Sequence, residues 1–140
     1  MKPSKESKFL KKNFAFKIIP MLNPDGVVNG NTRCSLSGLD LNRCWAAPNV
    51  EESPEILGVK KVLRETVSSR DLFLFCDFHG HTRMKNLFAF GCTNVYMEKD
   101  TLKERIFPLM LHEQMDEFHF DYCKFDVQPD KESTARVNVR

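Results

Sequence analysis

A chain of 140 residues with 41% hydrophobic and 11% aromatic residues is long enough for one packed domain and too apolar for a disordered tail. Its 21 basic and 19 acidic residues leave a formal net charge of +2, so no global field indicates nucleic acid or a membrane surface as a partner. No apolar run approaches the roughly 20 residues that cross a bilayer. The five cysteines form no CxxC pair, and no secretory signal precedes them, which predicts reduced thiols in a soluble cytoplasmic protein.

The first 13 residues are rich in lysine and have no apolar segment of the kind found in a signal peptide. We expect them to form a solvated helix or tail, a basic segment that precedes a domain over residues 14–140.

The first half of that domain begins with a predicted buried strand at residues 14–22, which is rich in aromatic and β-branched residues. A Pro-Asp-Gly turn and a long loop over residues 23–53 follow, and loops of that length are functional or disordered. Ser53, Pro54 and Glu55 then provide three helix-start signals. The helix should extend to about Ser68, with a buried face made of Ile56, Val59, Val62, Leu63 and Val67.

The second half alternates further strands and a helix. Residues 71–78 form a near-continuous apolar run, typical of a strand covered on both faces, and residues 87–91 predict another strand. A helix over residues 102–118, disturbed by Pro108, and a final strand in "ARVNV" complete the pattern. This alternation predicts a layered α/β domain.

Two arginines in the glycine-rich loop are the first candidate functional residues. Arg33 and Arg43 stand beside polar residues that could hold them in place. A guanidinium presents a planar fork that suits a carboxylate. The alternative is that both are ordinary surface arginines.

Asp77, His79 and His81 follow the apolar run at residues 71–78. Because residues i and i+2 of a strand project to one face, Asp77 and His79 should lie side by side at the strand's carboxyl end, the edge where open α/β sheets bind ligands. His79 is therefore either a zinc ligand or a hydrogen-bonded histidine at a strand end. A catalytic zinc needs three protein ligands, so one or two histidines do not by themselves make a zinc site.

The segment "HEQMDEFH" places His112, Asp116 and His119 on one helix face. It resembles an HExxH zinc helix, but Asp116 stands where the second histidine belongs. The apolar residues Leu109, Met110, Met115 and Phe118 instead make it look like an ordinary amphipathic helix.

Taken in order, five segments resemble the cytosolic carboxypeptidases, a branch of the zinc metallocarboxypeptidases of peptidase family M14. They are "FKIIPMLNPDGVVNG", "RCSLSGLDLNR", "CDFHGHTRMKN", "FAFGC" and "KESTARV". The resemblance extends from about Phe14 to Val137 and implies a partial three-layer α/β/α domain with a mixed sheet.

The resemblance also implies roles for four residues. Arg33 matches the arginine that polarises the scissile carbonyl, and Asn42 with Arg43 matches the pair that binds the substrate's terminal carboxylate. His79 matches the third zinc ligand. The implied activity is the removal of C-terminal residues, glutamate above all, from acidic protein tails such as those of tubulin. Arg83, Lys85 or Arg136 could contribute to a glutamate-selective pocket, although solvated surface charges explain them as well.

Two parts of the family's site are missing from this sequence. None of the four histidines begins the H-x-x-E motif that supplies the first two zinc ligands, and the family's catalytic glutamate lies beyond "KESTARV". We therefore expect a partial carboxypeptidase domain that retains little zinc and is inactive by itself. The alternative is a non-catalytic remnant or interaction module derived from a carboxypeptidase.

Overall fold

The computed structural model describes residues 4–93 and 102–139. Within these ranges it contains five α-helices: α1 (Lys5–Asn13), α2 (Pro24–Asn29), α3 (Pro54–Val67), α4 (Lys103–Gln114) and α5 (Ala135–Asn138). Three single 3₁₀ turns lie at Leu41–Arg43, Phe120–Tyr122 and Pro129–Lys131. None of the described helices is long and apolar enough to cross a membrane.

Of the solvated helix or tail expected near the N-terminus, the structure has the helix, α1, and none of its residues is buried. The Ser4 hydroxyl accepts a hydrogen bond from the Ser7 N–H at 3.1 Å and so caps the first turn.

Helix α3 confirms the helix predicted from Ser53-Pro54-Glu55, because Pro54 is its first residue. Ile56 is fully buried and Val59 nearly so, while Leu63 packs against the core from its edge. The predicted buried face is wrong at its last position, since Val67 is 56% exposed. Thr66 is buried instead, and its hydroxyl is satisfied by the Val62 carbonyl at 2.7 Å.

The main core joins segments that are far apart in sequence. Its buried members are Leu41, Trp45, Ile56, Val59 and Ala135. Two hydrogen bonds hold Trp45 in this core: its N–H donates to the Ser133 carbonyl at 3.2 Å, and its carbonyl accepts from Lys60 Nζ at 2.6 Å. The core thus fixes the Leu41–Arg43 turn against both α3 and α5.

The long loop over residues 23–53 is more ordered than its composition predicted. Helix α2 begins directly after Asn23, whose side-chain oxygen accepts the Gly26 N–H at 3.1 Å, and it ends at Gly30 with φ +80°. The Pro-Asp-Gly sequence therefore starts a short helix, because an asparagine cap and a proline at the first position favour one.

The predicted sheet is not formed by the described residues. Residues 14–22 and 71–78 carry no strand assignment, and residues 87–91 contribute only two isolated parallel bridges, Leu87 with Phe118 and Phe90 with Lys124. A strand exists only where a neighbour supplies ladder hydrogen bonds, and the two apolar segments lack that neighbour among the described residues.

Two further predictions in the C-terminal third need correction. "ARVNV" forms the helical turn α5 rather than a strand, because the Ala135 N–H is taken by the Asn42 side chain at 2.9 Å instead of by a sheet. Helix α4 passes through Pro108 but ends at Gln114, four residues before the predicted end, where Met115 turns to an extended conformation.

Candidate functional site

Asp40 contacts both arginines of the arginine loop, the part of the loop over residues 23–53 that carries Arg33 and Arg43. Its Oδ2 atom accepts from Arg33 Nε and lies near Arg33 Nη2, both at 2.7 Å. The same oxygen lies 3.9 Å from Arg43 Nη1. One carboxylate oxygen therefore faces both arginines and offsets the repulsion between two cations held close together.

The other oxygen of Asp40 shapes the turn that follows. Oδ1 accepts the Asn42 N–H at 3.0 Å, so Asp40 caps the Leu41–Arg43 turn with its side chain. Leu41 points into the core, and this leaves Asn42 and Arg43 on the partly exposed side. Arg43 is held further by donating from Nη1 to the Asn42 carbonyl at 3.0 Å.

Asn23 holds the backbone next to Arg33. Its side-chain amide donates to the Cys34 carbonyl at 3.1 Å, while its oxygen caps α2. Asn31 donates to the same Cys34 carbonyl at 2.9 Å. The backbone beside Arg33 is thus tied to the start of α2 by Asn23 and to the segment that follows α2 by Asn31.

His79 lies beside Asp77, as their i, i+2 spacing predicted. The His79 Nε2 atom is 2.8 Å from Asp77 Oδ2, so the ring donates its Nε2 proton to the carboxylate. In the neutral ring this leaves Nδ1 as the nitrogen with an available lone pair. The hydrogen bond that His79 donates to Asp77 raises the pKa of His79, and partial burial opposes that rise.

Asn42 connects the histidine to the arginine loop. Its Nδ2 atom lies 3.4 Å from His79 Nε2, a close contact between two donors rather than a hydrogen bond, because the Nε2 proton points to Asp77. Its Oδ1 accepts from the Ala135 N–H at 2.9 Å. The charges of Arg33 and Asp40 also influence the pKa of His79, the first lowering and the second raising it.

The structure therefore brings together all four residues that the sequence singled out, Arg33, Asn42, Arg43 and His79. All are at least partly exposed, with side-chain exposures of 58% for Arg33 and 52% for His79. Two cations, an amide and an imidazole arranged in this way can bind a carboxylate and a neighbouring carbonyl oxygen.

The remaining histidines have structural partners. His81 Nδ1 accepts the Met84 N–H at 3.0 Å, and its ring packs edge-on against Phe88. His112 Nδ1 donates to the Phe118 carbonyl at 2.7 Å, and His119 Nε2 lies 2.8 Å from the Asn86 amide. The prediction that His112, Asp116 and His119 share one helix face is wrong, because α4 ends at Gln114 and the second half of "HEQMDEFH" is not helical.

The described residues do not fit a three-ligand zinc site. Over residues 4–93 and 102–139, no group of three or more His, Cys, Asp or Glu side chains is arranged to hold a metal ion. His79 offers one nitrogen, and its neighbour Asp77 is engaged with the same ring. A catalytic zinc needs more donors than this pair provides.

Comparison with known proteins gives the arrangement its context. The family model described as zinc carboxypeptidase, Peptidase_M14, matches residues 2–119. This chain belongs to the zinc carboxypeptidase family.

Curated relatives place this zinc carboxypeptidase chain near one branch of the family. It is 44% identical over 137 residues to cytosolic carboxypeptidase 2 of Xenopus tropicalis and covers 97% of itself and 14% of that relative. It is 46% identical over 135 residues to cytosolic carboxypeptidase 2 of Homo sapiens, where it covers 96% of itself and 15% of the relative. The chain thus spans about a seventh of the length of these relatives.

Solved structures support the fold. A carboxypeptidase A homologue from Shewanella denitrificans matches with a TM-score of 0.81 and 31% identity, covering 95% of this chain and 35% of that one. A metallo-carboxypeptidase from Burkholderia cenocepacia matches with a TM-score of 0.67 and 26% identity, covering 87% and 31%. The chain therefore has the backbone arrangement of part of a carboxypeptidase domain, even though the described residues form no sheet.

Sequence reasoning missed Asp40 and Ala135 as parts of this arrangement. Asp40 stands two residues before Asn42, the spacing at which an aspartate side chain caps the turn that follows it. That signal was present in the sequence. The Ala135 N–H carried no signal, because a backbone donor 93 residues away is brought to Asn42 only by the tertiary fold.

Proposed function

We propose that this chain supplies the carboxylate-binding part of a cytosolic metallocarboxypeptidase, an enzyme that removes C-terminal residues from proteins. The observation that carries the proposal is the meeting of Asn42 with His79 at 3.4 Å, beside Arg33 and Arg43. An exopeptidase must recognise a free terminal carboxylate next to the peptide bond that it cleaves, and this arrangement offers partners for both groups.

Each residue has a role that its contacts support. Among the described residues, Arg43 is engaged through Nη1, which leaves the rest of its guanidinium for the terminal carboxylate, with Asn42 beside it. Arg33 is held by Asp40 through Nε and Nη2, which leaves Nη1 to polarise the scissile carbonyl and to stabilise negative charge on its oxygen. His79 is proposed as one zinc ligand.

The preference proposed for the substrate is a C-terminal glutamate on an acidic tail, such as that of tubulin. Of the basic residues considered from the sequence, Arg136 has the support that a pocket residue needs. Its guanidinium lies 5.3 Å from the centre of the Phe90 ring and donates to the Gly91 carbonyl at 3.2 Å. Its neighbour Ala135 is hydrogen-bonded to Asn42, so Arg136 follows directly after a contact of the proposed site.

The test is binding of two peptides to the chain, measured by calorimetry. One ends in glutamate with a free C-terminus, and the other is its C-terminal amide. We expect the free acid to bind about tenfold more tightly, because a charge-assisted pair contributes more than a neutral one. Arg43→Ala should remove the difference, whereas Arg64→Ala on α3 should preserve it. Equal binding of both peptides would contradict the proposal.

The catalytic state of the chain is a separate question with its own measurement. Because His79 is the one zinc ligand proposed within residues 4–93 and 102–139, we propose that the isolated chain holds little zinc and does not hydrolyse the peptide. Metal analysis of the purified protein and a hydrolysis assay test this. One tightly bound zinc per chain together with hydrolysis would show that the proposal is wrong.

The flanking reading frame separates the enzyme from a non-catalytic module. An H-x-x-E motif upstream and a glutamate-bearing segment downstream would support the enzyme. Stop codons in both flanks would support a non-catalytic remnant.

A further inference from the structure

We propose that Asp40 is the positioning residue of this carboxylate-binding site, the group that holds Arg33 and Arg43 in the orientation that a substrate requires. The inference rests on the function proposed above and deepens it. It assigns to a negatively charged residue a supporting role in binding a negatively charged ligand.

Asp40 holds one edge of the Arg33 guanidinium. Its Nε and Nη2 atoms both lie 2.7 Å from one oxygen of Asp40, so one edge of the guanidinium is fixed by the carboxylate. The Arg33 side chain is otherwise 58% exposed, and a long exposed side chain without such a partner samples many rotamers. The contact with Asp40 therefore limits the directions in which the free edge of Arg33 can point.

Asp40 also closes the turn that presents Asn42 and Arg43. The second oxygen of Asp40 accepts the Asn42 N–H at 3.0 Å and closes the Leu41–Arg43 turn. The first oxygen lies 3.9 Å from Arg43 Nη1. One side chain thus contacts each of the three groups proposed to meet the substrate's carboxylate and carbonyl.

Neutralising Asp40 should change the affinity for a carboxylate in opposite directions depending on whether Asp40 positions the arginines or only repels the ligand. If Asp40 were only a nearby negative charge, its neutralisation would strengthen the binding of a carboxylate, because a repulsive charge would be removed. If Asp40 positions the arginines, neutralisation releases them and weakens binding. The sign of the change therefore decides between the two views.

The experiment compares the wild-type chain with Asp40→Asn and Asp71→Asn, using the glutamate-ending peptide and its C-terminal amide. Asparagine can still accept the Asn42 N–H, so the turn should survive, while the ion pair with Arg33 is lost. Asp71 is exposed and gives the same change in net charge. We expect Asp40→Asn to weaken binding of the free acid by about tenfold and Asp71→Asn to leave it within about twofold. Unchanged or tighter binding by Asp40→Asn would overturn the inference.

A second measurement uses the wild-type chain without ligand, so it gives a result even if the Asp40→Asn variant does not fold. The Arg33 Nε–H group, assigned by its loss in Arg33→Lys, should give a protected resonance in a nitrogen–proton correlation spectrum at neutral pH. A fast-exchanging Arg33 Nε–H in the wild type would overturn the inference even if the peptide binds. If the wild type instead fails to distinguish the free acid from the amide, the proposed function is wrong and the inference is wrong with it.

Discussion

Asn42 is the residue through which the candidate site is connected. Its backbone N–H is held by Asp40, its side-chain oxygen accepts from Ala135, and its side-chain nitrogen contacts His79. Three segments that are distant in sequence therefore meet at one amide side chain. The Asn42 amide oxygen accepts the Ala135 N–H, while its nitrogen is close to His79 without donating to it.

His79 provides a test of the local electrostatics. Because the hydrogen bond with Asp77 raises its pKa, we expect its ring in the metal-free chain to titrate above the ordinary histidine value of about 6.5. The folded-state pKa is raised, so the pair's contribution to stability is fully present below the ordinary value and is lost as the pH rises through the raised one.

The variant Asp77→Asn should lower the pKa of His79, since it removes the carboxylate that stabilises the charged ring. The measurement is the ring chemical shift followed by NMR against pH, and Asp71→Asn serves as the control of equal charge change. An identical titration of His79 in the wild type and Asp77→Asn would contradict this prediction.

Helix α3 shows what burial adds to a pattern read from sequence. Ile56 is 0% exposed and Val67 is 56% exposed, although both were assigned to one buried face. The core partners of α3, Leu41, Trp45 and Ala135, lie in other segments, and Val67 is not among the side chains that pack with them. Periodicity identifies a face, but the neighbours determine how far along the helix that face is covered.

We expect Ile56→Ala to lower the free energy of unfolding by about 2–5 kcal/mol, because it removes a fully buried side chain and leaves a cavity. Val67→Ala on the same helix should change it by less than about 0.5 kcal/mol. Urea denaturation followed by circular dichroism measures both. Equal losses in the two variants would show that α3 is not packed as described.

The molecule as a whole exposes much apolar surface on two neighbouring segments. Residues 14–22 include Phe16 and Ile18, which are 62% and 81% exposed, and residues 71–78 include Phe73 and Phe78, at 79% and 92%. The rings of Phe14 and Phe73 lie 5.1 Å apart, so the segments meet. Contiguous apolar surface of this kind favours association, and segments without ladder partners favour it further.

We expect the isolated chain to self-associate at micromolar concentration and the double variant Ile18→Lys, Phe78→Lys to do so less. The double variant Val28→Lys, Val50→Lys adds the same charge at exposed positions outside these segments, 89% and 74% exposed, and should behave like the wild type. Sedimentation velocity over a range of concentrations measures this. A wild type that stays monomeric throughout would contradict the prediction.

Local signals in the sequence predicted the start of α3 and the pairing of Asp77 with His79, and a local serine cap accounts for α1, which the sequence had left open between a helix and a tail. A serine cap, a proline at the first helical position and an i, i+2 spacing act over a few residues, so no distant partner is needed to make them effective. Family membership was also readable from the order of the motifs, and the family match over residues 2–119 confirms it.

Only the tertiary structure decided whether the predicted strands form and which distant residues meet at Asn42. A strand requires hydrogen bonds from another segment, and residues 14–22 and 71–78 find no ladder partner among the described residues, however strand-like their composition. The donor of Ala135 likewise reaches Asn42 across 93 residues of sequence. Local chemistry can be read along the chain, whereas contacts between distant segments depend on the packing that brings those segments together.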